Sequence, residues 1–121
     1  KFDKIICDVP CSGFGVITKK PEIRYKSFDS IAKLPRIQLS ILSNVSKYLK
    51  ISGTLIYSTC TILENENEKV IRSFLADRDD FVLEPFELPG PVGSVKEGYI
   101  TLWPHIHHTD GFFIAKLKRV K

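Results

Sequence analysis

The chain contains the stretch Gly53-Thr54-Leu55-Ile56-Tyr57-Ser58-Thr59-Cys60-Thr61, a short apolar run that ends at a cysteine. A second stretch ends in the same way, because the apolar run 2–7 leads into Asp8-Val9-Pro10-Cys11-Ser12-Gly13. Continuous apolar runs of this length are typical of buried strands in parallel sheets. If both runs are parallel strands of one sheet, both thiols and Asp8 lie at its carboxyl edge, where open α/β sheets bind ligands.

The order of the remaining elements predicts the fold class. Apolar residues at helical spacing predict a helix over about 29–50, with Pro35 near its first turn and Gly53 as its stop. An acidic run followed by apolar residues predicts a second helix over 63–77. We predict strands at 2–9, 54–58, 81–86, 98–103 and 111–118. This order indicates an α/β fold, the second half of an αβα sandwich.

Size and composition indicate one ordinary globular domain. The 121 residues are 43% hydrophobic and 26% charged, and the longest apolar runs are too short to span a bilayer. The chain has no methionine and begins at Lys1 within the first predicted strand, so we expect residues 1–121 to be a fragment of a longer protein. Three cysteines cannot all pair within the chain, which favours free thiols in the cytoplasm.

The net charge of +4 comes largely from two basic clusters. One contains Lys19, Lys20, Arg24 and Lys26; the other contains Lys116, Lys118, Arg119 and Lys121. Such clusters favour binding to polyanions, because lysine and arginine displace counterions from phosphates. A solvated basic surface explains the same residues, and the sequence leaves both interpretations open.

The two cysteines at the predicted strand ends indicate covalent chemistry. A thiolate is a strong nucleophile, and a helix that begins near Leu63 would stabilise the ionised form of Cys60. Asp8, at the end of the neighbouring strand, could hold or donate a proton. Either cysteine alone would more simply be a small apolar residue in a tight turn. The pair together with Asp8 favours the catalytic interpretation.

Two other groups of side chains receive smaller predictions. His105, His107 and His108 lie close together, but the chain has no C-x2-C pair, so we predict no metal site. Phe112 and Phe113 are adjacent on a predicted strand and point to opposite faces. One of them therefore belongs to the core, and the other could line a binding pocket.

Three motifs together resemble the RNA cytosine-5 methyltransferases of the Sun/Fmu (RsmB-like) group. They are Asp8-Val9-Pro10-Cys11-Ser12-Gly13, Ser58-Thr59-Cys60-Thr61 and Asp110-Gly111-Phe112-Phe113-Ile114-Ala115. The basic stretch Lys20-Pro21-Glu22-Ile23-Arg24-Tyr25 is similar to the loop that the family carries between the first two motifs. The resemblance covers essentially the whole chain. It implies the C-terminal half of a Rossmann-like methyltransferase domain, mostly parallel, with one antiparallel strand near the C-terminus.

The resemblance also implies a reaction and residue roles. The reaction is methylation of carbon 5 of a cytosine in RNA by S-adenosylmethionine, with ribosomal RNA as the commonest substrate and transfer RNA as a possible one. Cys60 would attack carbon 6 of the base, Cys11 would assist release, and Asp8 would contact the cytosine. Asp8 and Pro10 would border the cofactor, and Lys20 and Arg24 would contact RNA phosphates.

The family's main cofactor loop precedes the Pro-Cys strand and lies outside this chain, so we expect the isolated fragment to be inactive. Two alternatives remain open at this stage. In one, Cys11 is the attacking nucleophile, as the Pro-Cys cysteine is in DNA cytosine-5 methyltransferases. In the other, the chain is a non-catalytic RNA-binding module, which would explain the basic clusters without any chemistry at the thiols.

Overall fold

A computed structural model of the chain describes residues 1–10, 28–61, 63–76, 78–88, 93–102 and 111–121. Within these ranges the chain forms seven strands, two α-helices and one 3₁₀ turn. The strands are β1 (Phe2–Asp8), β2 (Leu49–Thr59), β3 (Phe81–Leu83), β4 (Phe86–Leu88), β5 (Gly93–Val95), β6 (Tyr99–Leu102) and β7 (Phe112–Arg119). The helices are α1 (Phe28–Ser46) and α2 (Glu68–Leu75), and the 3₁₀ turn is Glu64–Glu66.

The main sheet has five strands in a mixed arrangement. Its order is β1-β2-β7-β3, and β6 also pairs with β7. β1 and β2 are parallel, whereas β7 is antiparallel to β2, β3 and β6. The strands β1, β2, β3 and β6 therefore share one direction, and β7 alone runs against them. This confirms the predicted α/β fold with an antiparallel strand near the C-terminus.

Both helices pack on one face of this sheet and form the core with it. The sheet contributes alternate residues of β2 and β7, because successive side chains of a strand point to opposite faces. Tyr57 and Phe113 are fully buried, and their rings meet edge to face with centroids 6.2 Å apart. The helices cover them with apolar side chains that are themselves buried: Leu42, Val70, Ile71 and Phe74.

The opposite face of β1 is open in this chain. Cys7 and Val9 point toward the core and are 5% exposed, whereas Ile6 is 78% exposed. The expectation that the first apolar run is buried on both faces is therefore wrong for this chain. The described helices cover only one side of the strand.

The boundary between α1 and β2 differs from the prediction. α1 ends at Ser46, and β2 begins at Leu49, so residues 47–50 do not extend the helix. Gly53 lies inside β2 rather than stopping the helix. It lies within an irregularity in which Phe2 pairs with Leu49 but Lys4 pairs with Thr54. The extra residues of β2 bend the strand, and Ser52 takes a positive φ of 71° there.

Two further predicted boundaries were wrong. Pro35 is the eighth residue of α1 and lies inside the helix rather than in its first turn. The single strand predicted over 81–86 is two strands, β3 and β4, separated by Glu84 and Pro85. The Glu84 N–H still bonds to the Lys116 carbonyl at 2.9 Å, but proline has no N–H with which to continue this pairing. β4 instead pairs with β5 in a separate two-stranded sheet.

The irregular start of β2 gives opposite predictions for two adjacent residues. A Cβ on Gly53 would lie 2.8 Å from both the Leu49 side chain and the Lys50 carbonyl oxygen. We expect Gly53→Ala to lower the free energy of unfolding by about 1–3 kcal/mol, since this site is too tight for another carbon. Ser52→Gly should leave it unchanged or raise it, because glycine accepts a positive φ freely. Urea unfolding of the two variants measures both effects, and equal losses would contradict this account.

Candidate functional site

The parallel pairing of β1 with β2 brings the two predicted strand ends together. Asp8 is the register partner of Ser58, and Cys60 follows two residues beyond Ser58. The Ser58 hydroxyl donates a hydrogen bond to Asp8 Oδ1 at 3.3 Å, and the Val9 N–H donates to the Ser58 carbonyl oxygen at 3.2 Å. The carboxylate and the Cys60 thiol therefore lie at one edge of the sheet, as predicted.

A cavity of about 340 Å³ lies at this edge. It is lined by Asp8, Ser58, Thr59, Cys60, Phe112 and Ile114. Phe112 is half-buried in the cavity wall, whereas Phe113 is fully buried in the core. The two phenylalanines therefore take opposite faces, as the alternation predicted. The cavity combines a thiol, a carboxylate and an apolar wall, which suits a planar polar ligand.

Hydrogen bonds behind the cavity hold the loop that carries Cys60. The Thr59 hydroxyl donates to Asn67 Oδ1 at 2.6 Å, and Asn67 Nδ2 donates to the Thr61 carbonyl oxygen at 2.9 Å. The Leu63 N–H donates to Thr61 Oγ1 at 3.2 Å. The two threonines that flank Cys60 are both buried, so their hydroxyls fix the backbone on either side of the thiol.

A second set of buried polar residues was missed by the sequence analysis. Gln38 of α1 and Glu66 of the 3₁₀ turn are hydrogen-bonded to each other beneath the sheet edge. Gln38 carried a signal, because it is a polar residue on the apolar stripe between Leu34 and Leu42. No such signal is present at Glu66, because this residue belongs to the acidic run 64–68, which we interpreted as the exposed first turn of a helix.

The element that follows Cys60 differs from the one predicted. We expected a helix to begin near Leu63 and to direct its amino end toward the thiol. The chain instead forms a 3₁₀ turn, and α2 begins only at Glu68. Asn67 interrupts the helical path, with φ of −115° and ψ of −98°, because its side chain is bonded back to the loop.

Cys7 is a thiol of a different kind from Cys60. It points into the core from β1, and burial, followed by the negative charge of Asp8, raises its pKa to about 11. A thiol with this pKa is almost entirely protonated at neutral pH and is therefore a poor nucleophile. Cys60 is half-buried and lines the cavity.

Several predicted residues lie outside the described residues. These are Cys11, Lys20, Arg24, His105, His107 and His108. The roles of Cys11 in release and of Lys20 and Arg24 in RNA contact therefore stay predictions. Pro10 is described and exposed, but its carbonyl oxygen accepts a hydrogen bond from Gln38 Nε2 rather than facing a ligand.

The basic C-terminal cluster is occupied with contacts inside the chain. Lys116 pairs with Glu84 at 3.0 Å, and Lys121 pairs with Asp79 at 2.8 Å. Arg119 donates to the carbonyl oxygen of Leu49. Lys116, Arg119 and Lys121 therefore each have a partner within the chain.

Neither a metal cluster nor a membrane span is found in the described part of the chain. No three histidine, cysteine or acidic side chains among the described residues lie close enough together to hold a metal ion. No described helix is both long and apolar enough to cross a bilayer.

The chain matches a sequence model of 16S rRNA methyltransferase RsmB/F over residues 1–118. It belongs to this family. A probable ribosomal RNA small subunit methyltransferase B from Synechocystis is 45% identical in an alignment of 121 positions that covers 97% of the chain and 27% of the relative. A protein of the same description from Bacillus subtilis is 44% identical in an alignment of 126 positions that covers 98% of the chain and 28% of that relative.

Solved structures agree with the family assignment. The crystal structure of PH0851 superposes with a TM-score of 0.86 at 38% identity, over 97% of this chain and 26% of that one. NSun6 from Pyrococcus horikoshii, solved with the S-adenosylmethionine analogue SFG, gives 0.78 at 33% identity, over 98% and 30% respectively. The chain thus spans about a quarter of the length of the curated relatives it matches.

The contrast between Cys7 and Cys60 predicts selective alkylation of the folded chain. At pH 8 we expect iodoacetamide to modify Cys60 while Cys7 remains unmodified, because the Cys7 thiol is buried and protonated. Peptide mass spectrometry before and after unfolding in urea measures both sites, and Cys7 should react only after unfolding. Equal labelling of the two in the folded state would contradict the assigned difference.

Proposed function

We propose that this chain is the catalytic part of an S-adenosylmethionine-dependent RNA methyltransferase that methylates carbon 5 of cytosine through a covalent adduct with Cys60. The observation that carries the proposal is that Cys60 and Asp8 line the same cavity. Family membership supports methyl transfer to RNA. The residues that line the cavity support the assignment of Cys60 as the nucleophile and of Asp8 as the group that contacts the base.

In this proposal Cys60 supplies, as its thiolate, the nucleophile that cytosine chemistry needs. Carbon 5 of cytosine is too weakly nucleophilic to accept a methyl group directly. Addition of the thiolate to carbon 6 forms a C–S bond, moves the ring electrons toward carbon 5, and leaves nitrogen 3 to take a proton. This is covalent catalysis assisted by acid–base transfer.

Release reverses the addition. Once carbon 5 carries the methyl group, its proton passes to solvent water, and the electrons of that C–H bond rebuild the carbon 5–carbon 6 double bond. The bond between Cys60 and carbon 6 then breaks, the sulfur leaves as a thiolate, and nitrogen 3 loses its added proton. We assign Cys11 to this release step.

We assign to Asp8 the contact with the edge of the cytosine ring that carries nitrogen 3 and the exocyclic amino group. Its carboxylate is exposed at the cavity and oriented by the Ser58 hydroxyl, so it can relay the proton at nitrogen 3 and accept a hydrogen bond from the exocyclic amino group. Cys60 and Asp8 would then act on opposite sides of the same ring. The apolar wall formed by Phe112 and Ile114 would hold the base between them.

The described residues fit part of a site for S-adenosylmethionine. This cofactor supplies the methyl group as an electrophile bound to a positively charged sulfur. A carboxylate at the sheet edge complements that charge, and Asp8 provides one. Pro10 would border the cofactor through its ring, since its carbonyl oxygen is bonded to Gln38.

We infer that most of the cofactor site belongs to a longer parent protein, of which residues 1–121 are a partial catalytic domain. The relatives are about four times as long as the matching segment. The exposure of Ile6 on the open face of β1 supports the same inference, because parallel strands are normally covered on both faces. By itself this chain is expected to be inactive.

The substrate that we propose is RNA, and specifically small-subunit ribosomal RNA. The bacterial relatives are described as ribosomal RNA small subunit methyltransferases, which supports this choice over transfer RNA. Lys20 and Arg24 are the proposed phosphate contacts, and the proposed location is the cytoplasm, where bacterial ribosomes are assembled.

The assignment of the two cysteines is tested in the full-length parent. With RNA that carries 5-fluorocytidine, which blocks loss of the carbon 5 substituent, we expect the wild type to accumulate a covalent protein–RNA band on denaturing gels. Cys60→Ala should abolish this band and the methylation of normal RNA. Cys11→Ala should retain the adduct and accumulate it even on normal RNA.

Each alternative predicts a different pattern in this experiment. An adduct that survives Cys60→Ala and is lost in Cys11→Ala would make Cys11 the nucleophile. Salt-dependent RNA binding without any adduct in the wild type would identify a non-catalytic binding module.

The Asp8–Ser58 pair provides a matched test of the carboxylate. We expect Asp8→Asn in the parent to lower kcat by about 10²–10⁴-fold, because acid–base assistance at the ring is lost. Ser58→Ala removes only the orienting hydrogen bond, worth about 1 kcal/mol, and should lower kcat by less than about tenfold. Single-turnover methylation rates measure both losses. Equally small losses of rate in the two variants would contradict the proposed acid–base role of Asp8.

A further inference from the structure

Gln38 links two parts of the chain that are far apart in sequence. Its side chain is fully buried on the face of α1 that packs beneath the sheet edge. Its amide nitrogen donates to the Pro10 carbonyl oxygen at 2.9 Å and to Glu66 Oε1 at 3.1 Å. Both partners are acceptors, so a primary amide, with two N–H bonds, can satisfy them together.

Glu66 continues this link to the loop that carries Cys60. Its second carboxylate oxygen accepts from the Thr61 hydroxyl at 3.4 Å, and its backbone carbonyl accepts from the Tyr57 hydroxyl at 2.7 Å. The path Pro10–Gln38–Glu66–Thr61 therefore begins at the residue before Cys11 and ends at the residue after Cys60. One chain of hydrogen bonds, buried from Gln38 to Thr61, connects the end of β1 with the segment that carries Cys60.

The link is a costly way to stabilise a fold. Glu66 is 1% exposed, and Gln38 Oε1 is a buried acceptor with no hydrogen-bond partner among the described residues. A buried acceptor without a partner costs stability, and apolar residues of similar shape could fill the same space. The arrangement is easier to explain by the geometry it imposes than by the stability it adds.

We propose that Gln38 and Glu66 are positioning residues that hold Pro10, at the end of β1, and the segment Thr59-Cys60-Thr61 in fixed register for the reaction at Cys60. This proposal builds on the proposed function, because it concerns the distance between the attacking thiol and Asp8 at the end of β1. A displacement of about 1 Å at a reacting centre can cost about a hundredfold in rate. Neither residue lines the cavity, so both act through the loops they hold.

The decisive experiment separates geometry from stability in the full-length parent. Gln38→Met and Glu66→Met each leave a buried partner without its hydrogen bond and should lower stability. The double variant Gln38→Met/Glu66→Met removes both ends of that bond and should recover much of the loss, since paired apolar replacement is nearly neutral. We expect its kcat to remain about 100-fold below wild type, with an unchanged KM for RNA.

Two control variants complete the design. Leu42→Met changes a buried residue of the same helix outside the hydrogen-bond path and should leave kcat unchanged. Glu66→Gln keeps an oxygen for Gln38 and a polar group for Thr61, so it should retain most of the activity. This variant also keeps the proposal testable if the double variant does not fold, because loss of activity in a folded Glu66→Gln protein would overturn it.

The outcomes also distinguish this proposal from the one on which it is built. A wild-type parent that forms no adduct with 5-fluorocytidine RNA would overturn the proposed function itself. A wild type that forms the adduct, together with a double variant that forms it equally fast, would overturn only the positioning role. Recovery of stability without recovery of adduct formation is the result we expect.

Discussion

The parallel pairing of β1 with β2 is the constraint on which the rest of the structure depends. Their register sets Asp8 beside Ser58, so that both strands end at the same edge of the sheet. Shifting that register by one residue would turn Asp8 toward the helices and Cys7 toward the cavity, because strand side chains alternate. The core prevents this shift, since Cys7, Leu55 and Tyr57 are buried against the helices.

The strand ends could be predicted from the sequence because their signals are local. An apolar run followed by Asp8 and Pro10, and another followed by Cys60, are visible without knowledge of distant contacts. The start of β2 could not be predicted in this way. Leu49 continues the apolar spacing of α1, yet it is the first residue of β2 because it pairs with Phe2. Tertiary pairing overrides a local preference at such a boundary.

The polar residues behind the site were less predictable for a related reason. Glu66 and Asn67 lie in an acidic stretch that local rules assign to the exposed first turn of a helix. They are buried because Gln38, 28 residues earlier than Glu66, and the threonines beside Cys60 supply their hydrogen bonds. The burial of a polar group can be predicted only when its hydrogen-bond partners are known. Here these partners come from three separate elements.

The same network explains why the loop after β2 is not simply the start of a helix. A helix beginning directly after Cys60 would place its first N–H groups near the thiol, but would not bring the Asn67 side chain back to Thr59 and Thr61. Those bonds form because the chain takes a 3₁₀ turn and an irregular backbone at Asn67, so that α2 is shorter than the predicted helix. Local irregularity at functional sites is commonly offset by such surrounding contacts. For the role that we propose for Cys60, addition to a ring followed by release from it, a loop held by these bonds is more useful than an additional helical turn.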